Sequence, residues 1–145
     1  MKQFALIAFA ASLVSFAPQD PPKKAAAGPA ERQEDFLATL KAGKIEKAYD
    51  ALFKGSRFAD KPDQVENLID QTAKGVGLYG GVVGFENTGI IRQEKYQALG
   101  MGILCCDQVP MYFYFVWYRS AETAPWAVIN VWFSDQVKDY WMLRR

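Results

Sequence analysis

The sequence predicts an α+β domain, with N-terminal helices packed on a curved four-stranded antiparallel meander sheet, and three observations lead there. Apolar residues recur at helical spacing between residues 31 and 76. Five glycines follow at 75, 77, 80, 81 and 84. From Val82 onward β-branched and aromatic residues are separated by short polar breaks. The 145 residues suit one domain with one real core.

Lys2 precedes an uncharged run from Phe4 to Ala17 with small residues at Ser15 and Ala17, the pattern of a secretory signal peptide over 1–17. The run falls short of the roughly 18 to 20 residues that span a bilayer, so no membrane span is expected after its removal. Export would place the chain in the periplasm or outside the cell. Residues 18–30 are rich in Pro, Ala and Lys without apolar periodicity and read as a flexible leader. The single domain then occupies 31–145.

Phe36, Leu37 and Leu40 mark a first helix that Gly43 interrupts. Ile45, Ala48, Tyr49, Leu52 and Phe53 form one apolar stripe of a second, with Lys44, Glu46, Lys47 and Asp50 off it. Pro62 opens a third, in which Val65, Leu68, Ile69, Ala73 and Val76 repeat the spacing until the glycines stop it. Four strands follow, roughly Val82 to Arg92, Tyr96 to Cys106, Met111 to Arg119 and Trp126 to Ser134. Short connections make neighbours antiparallel.

A loop at Ser120–Ala124 sets Arg119 opposite Pro125 and fixes the last hairpin. Trp117, Phe115, Phe113 and Met111 then oppose Ala127, Ile129, Val131 and Phe133 on an oily face. Tyr118, Val116, Tyr114 and Tyr112 oppose Trp126, Val128, Asn130 and Trp132 on a face that is aromatic but polar-tipped. An odd-length turn around Gln108 would put Leu99, Met101 and Ile103 on the oily side and leave Gly100 and Gly102 as a shallow floor on the other. Tyr112, Tyr114, Tyr118, Trp126 and Trp132 would carry about 750 to 1,250 Å² of aromatic surface. That exceeds the 300 to 600 Å² patch of an ordinary monomer, so the face needs a cover. A second copy, a small apolar ligand, or the chain's own helices or tail (Tyr140, Trp141, Met142, Leu143) could supply it.

The stretches "KAGKIEKAYDALF" and "YFYFVWYRS…PWAVINVWF", with the glycine link and a strand containing Glu86, resemble the nuclear-transport-factor-2-like (cystatin-like α+β) superfamily over about Glu31 to Asp135. The nearest likeness is to small exported bacterial proteins of unassigned function. The resemblance implies a curved sheet around the helices, a cone-shaped cavity between the two layers, and frequent dimerisation through a sheet face. Its members include isomerases, dehydratases and noncatalytic binding modules, so fold alone does not select among them.

The mature chain would keep 16 of its 17 basic groups, since only Lys2 is lost, against 16 acidic ones. This balance, with basic pairs only at Lys23-Lys24 and Arg144-Arg145, argues against a nucleic-acid partner. The chain contains no histidine, which excludes Ser-His-Asp and Cys-His catalysis and His-based metal sites. Nothing in the pattern calls for a cofactor. What remains is an exported noncatalytic binding or dimerisation module acting through Tyr112, Tyr114, Tyr118, Trp126, Asn130, Trp132 and Glu86. The alternative is an isomerase or lyase using a carboxylate and a tyrosine in an apolar cavity, with Glu86, Asp107 and Asp135 as its candidate acids. Glu86 also reads as a plain strand residue, either solvated or salt-bridged, with Arg92 as the candidate partner. Adjacent Cys105 and Cys106 point to opposite faces of a strand, so they read as packing thiols, with an intermolecular bridge or a strained vicinal pair as the alternatives.

Overall fold

The computed structural model describes residues 26–143. The segment expected to be a signal peptide (1–17), most of the expected leader (18–30) and Arg144-Arg145 lie outside that range, as do the side chains of Tyr140 and Leu143. Helices α1 (Pro29–Lys41), α2 (Ile45–Phe53) and α3 (Pro62–Leu78) precede strands β1 (Val82–Gln93), β2 (Gln97–Cys106), β3 (Met111–Tyr118) and β4 (Ala127–Ser134). A 3-10 turn at Arg57–Asp60 and a short helix α4 (Val137–Leu143) are the additions to the expected elements. The sheet order is β1-β2-β3-β4 and every pairing is antiparallel, so the α+β meander stands as expected.

Local chemistry sets the boundaries. Pro29 and Pro62 occupy the first turns of α1 and α3, where a missing N–H costs nothing. Gly43 ends α1 at φ +75°, with its N–H donating to Leu40 O and the Lys44 N–H to Thr39 O, a Schellman cap. Contrary to the expected stop at the glycines, α3 runs through Gly75 and Gly77. The reason at Gly75 is close packing, because a Cβ there would lie 2.9 Å from Met111 Cε. Gly80 then ends the helix at φ +89°.

The core lies between the helices and one face of the sheet. Phe36 is its wedge, meeting the rings of Tyr49, Phe113 and Phe115 edge-on at 5.1, 5.5 and 5.5 Å. Met111, Phe113, Phe115 and Trp117 are fully buried there, as the alternation of β3 predicts.

The last hairpin departs from the expected register. Tyr112 opposes Ser134, Phe113 opposes Phe133, Tyr114 opposes Trp132 and Val116 opposes Asn130, a shift of two residues. A bulge at Ile129 then reduces the shift to one residue, setting Trp117 opposite Val128 and Tyr118 opposite Ala127. The shift leaves Phe113, Phe115, Val131 and Phe133 on the expected face, but the bulge turns Val128 and Trp126 toward the core.

The faces of β2 are reversed from expectation. Ala98, Gly100, Gly102 and Leu104 oppose Trp117, Phe115, Phe113 and Met111, so the glycines belong to the core face. Leu99, Met101 and Ile103 oppose Val116, Tyr114 and Tyr112 on the outer face. The glycine floor is filled by α1: a Cβ on Gly102 would fall 2.4 Å from Leu37 Cδ1, and one on Gly100 would overlap the Gln33 side chain. Helix and sheet meet here without the cavity that the resemblance implies.

Candidate functional site

All three large helices pack on the core face, and the outer face of the sheet holds most of the residues singled out in the sequence. Antiparallel pairing arranges them in rows across the strands. One row runs Glu86, Ile103, Tyr112, Ser134. The next runs Gly89, Met101, Tyr114, Trp132, and the third runs Arg92, Leu99, Val116, Asn130. Tyr118 closes the series between Gln97 and Ala127.

Burial divides these residues sharply. Tyr114 and Met101 are fully buried and form a small second cluster with Ile91, Ile103 and Tyr112. Trp132 covers part of that cluster, stacking on Tyr114 with ring centroids 5.1 Å apart and planes 17° from parallel. Trp132 itself stays 37% exposed and Tyr118 41% exposed. Tyr112, Leu99, Ile103 and Val116 are half-buried, and Asn130 and Glu86 are exposed.

Trp126 does not belong to this face. Its ring packs on the main core, beneath the Arg119 guanidinium at 4.5 Å. Glu86 does not pair with Arg92, which instead meets Glu94 at 3.3 Å. Glu86 and Tyr114 lie in neighbouring rows with β2 between their strands, on an open surface rather than in a cavity. The candidate acids Asp107 and Asp135 are exposed, and Asp135 accepts a hydrogen bond from the Tyr79 hydroxyl at 3.0 Å. That bond raises the Tyr79 pKa, with burial and the Asp135 charge adding to it. Cys105 and Cys106 are free thiols, half-buried and buried respectively, and burial followed by the neighbouring Cys105 raises the Cys106 pKa.

Sequence reasoning passed over a buried polar node behind the core face. Gln33 is 0% exposed on α1. The Trp117 indole N–H donates to Gln33 Oε1 at 2.9 Å, and an indole can only donate, so this contact orients the amide. Gln33 Nε2 then donates to Met101 O, Asn87 Oδ1 and Gly89 O at 3.3, 3.3 and 3.4 Å. Asn87 itself donates to Ala30 O at 3.0 Å, tying the bulged middle of β1 to the start of α1. Beside the node, the Arg32 guanidinium lies 5.0 Å over the Trp117 ring and donates to Trp126 O and Leu52 O at 2.8 and 2.5 Å. These contacts use the polar groups of Gln33 and Arg32 to hold helices, sheet and the last hairpin together. The available signal was that Gln33 shares the i, i+3, i+4, i+7 stripe of Phe36, Leu37 and Leu40.

Among the described residues no group of three or more His, Cys, Asp or Glu side chains is placed to hold a metal, and no helix is long and apolar enough to cross a membrane. No family model, curated protein or solved structure matches the chain.

Proposed function

We propose that this chain is an exported, noncatalytic interaction module of the nuclear-transport-factor-2-like type, and that it pairs with a second copy through the outer face of its sheet. The observation that carries the reading is the exposure of Trp132 and Tyr118 beside half-buried Tyr112, Leu99, Ile103 and Val116, on a face from which α1, α2 and α3 are all absent. Aromatic residues on a flat apolar surface are the usual anchors of a protein interface. The close contact of Gln33 and Leu37 with the glycine floor favours this over a small apolar ligand held between helices and sheet.

Magnitude sets the expected strength. Trp126 faces the core and Tyr114 is already buried, so two of the five aromatics behind the original surface estimate no longer contribute. The remaining patch corresponds to the small, transient class of interface, below about 1,200 Å² in total. Sedimentation equilibrium from micromolar to millimolar protein should show a reversible monomer–dimer equilibrium, and Trp132→Glu should abolish it while leaving the circular dichroism spectrum intact. A mass that stays at one protomer throughout rejects the proposal.

A further inference from the structure

We propose that the open groove between α2 and α3 is a second docking site, and that its occupant is a basic amphipathic peptide segment of a partner protein. The groove encloses about 610 Å³ and lies on the helical layer, so the inference does not depend on self-association through the sheet.

The groove follows from how α3 packs. The Tyr49 hydroxyl and Thr72 Oγ1 share a hydrogen bond of 2.7 Å that clamps α2 to α3 at one level. Toward the start of α3 an open groove lies beside α2, lined on the α3 side by Pro62, Val65, Glu66 and Ile69. Val65 and Ile69, which belong to the apolar stripe of α3, are only half-buried and form one wall. The floor is aromatic: Tyr49, Phe53 and Phe58 line it, with the rings of Phe53 and Phe58 4.5 Å apart. A groove between two helices with unfilled apolar positions is the geometry that accepts a short amphipathic segment through one or two anchoring side chains.

Charge selects the chemistry of that segment. Glu46 and Asp50, one helical turn apart on α2, and Glu66 on α3 bring three carboxylates to the groove lining, with Lys54 the one cationic residue there. The ion pairs of the described residues, Arg92 with Glu94 and Lys95 with Glu122, leave these three carboxylates unengaged. An apolar or aromatic side chain flanked by lysines or arginines would fill the floor and meet the carboxylates. An acidic segment would meet repulsion from both walls.

The test uses an amidated synthetic peptide, Lys-Lys-Leu-Trp-Lys-Lys, titrated into the chain by calorimetry and by backbone amide shifts, with Gln-Gln-Leu-Trp-Gln-Gln as the uncharged control. The lysine peptide should bind with shifts centred on α2 and α3, and the control about tenfold more weakly, the sum expected for a few exposed ion pairs. Combining Glu46→Gln, Asp50→Asn and Glu66→Gln should cost the lysine peptide a similar factor, and added salt should erode the same part of its affinity. These three sites are exposed, so the triple variant should keep the parent's thermal transition. Trp132→Glu should leave peptide binding unchanged, which separates this site from the sheet face. Equal binding of the two peptides, an unaffected triple variant, shifts centred on the sheet, or no binding at all overturns the proposal.

Discussion

Tyr49 shows how one side chain can belong to both the core and a surface groove. Its ring packs against Phe36 and its hydroxyl reaches Thr72, yet it also lines the floor between α2 and α3. Burial pushes its pKa from 10.0 to about 12, against a smaller opposing effect of the Thr72 hydrogen bond. The sign of the consequence follows from proton binding. Below pH 10 the hydroxyl is protonated in both folded and unfolded chains, and its contribution is fully present. Between the unfolded value of 10.0 and the folded value of about 12 the unfolded chain releases the proton first, so stability falls as pH rises. The loss should be on the order of 1 kcal/mol per pH unit and about 3 kcal/mol in all. Urea midpoints measured across this range should drop more steeply for the parent than for Tyr49→Phe, because other groups titrate alike in both. Parallel pH profiles would mean that the hydroxyl is not held in an apolar setting.

At the scale of elements, the docking of α1 on β2 rests on two missing side chains. Gly102 leaves room for Leu37, and Gly100 leaves room for the Gln33 amide that receives the Trp117 indole. Gly102→Ala puts a methyl 2.4 Å from a Leu37 atom that is itself fully buried and has nowhere to go, so it should cost about 1 to 3 kcal/mol in chemical denaturation. Gly77→Ala is the matched control: it sits within α3 with open space around it and should stabilise by about 0.5 to 1 kcal/mol. A neutral Gly102→Ala would mean that α1 can shift freely on the sheet. The same residues explain what the sequence could and could not reveal. Periodicity located three helices and four strands to within about two residues at most ends, because each long element carries a repeated apolar signal. It did not assign the faces of β2. Alternating glycines look like an open floor when the helix that fills them contributes a glutamine, and glutamine reads as a solvent residue. The Ile129 bulge was equally hidden, since the run from Ala127 to Phe133 is apolar enough to satisfy either register. Of the candidate site, Tyr112, Tyr114, Tyr118, Asn130 and Trp132 do share a face, whereas Trp126 was lost to that bulge.

For the whole molecule, the question is which surface is free to associate. An open four-stranded sheet presents two edges, β1 and β4, and unpaired edge strands invite further strands. Both edges here are interrupted. β1 carries three irregularities, at Val83, Thr88 and Ile91. β4 has its bulge at Ile129, whose carbonyl accepts from Arg57 at 3.3 Å, while Arg32 occupies the carbonyl of Trp126 just before the strand. Broken edges disfavour growth by strand addition, which agrees with the limited, face-to-face pair proposed above. Such a pair links stability to concentration, because the partner binds only the folded chain. Above the dissociation constant of the pair, each tenfold rise in protein concentration should add about 0.7 kcal/mol per protomer. That corresponds to about 2 °C in the thermal midpoint of a chain this size. Trp132→Glu should remove the concentration dependence without broadening the transition. A midpoint independent of concentration in the parent would exclude pairing of folded chains, and one that rises together with continued growth in mass would show that the edges, rather than the face, carry the association.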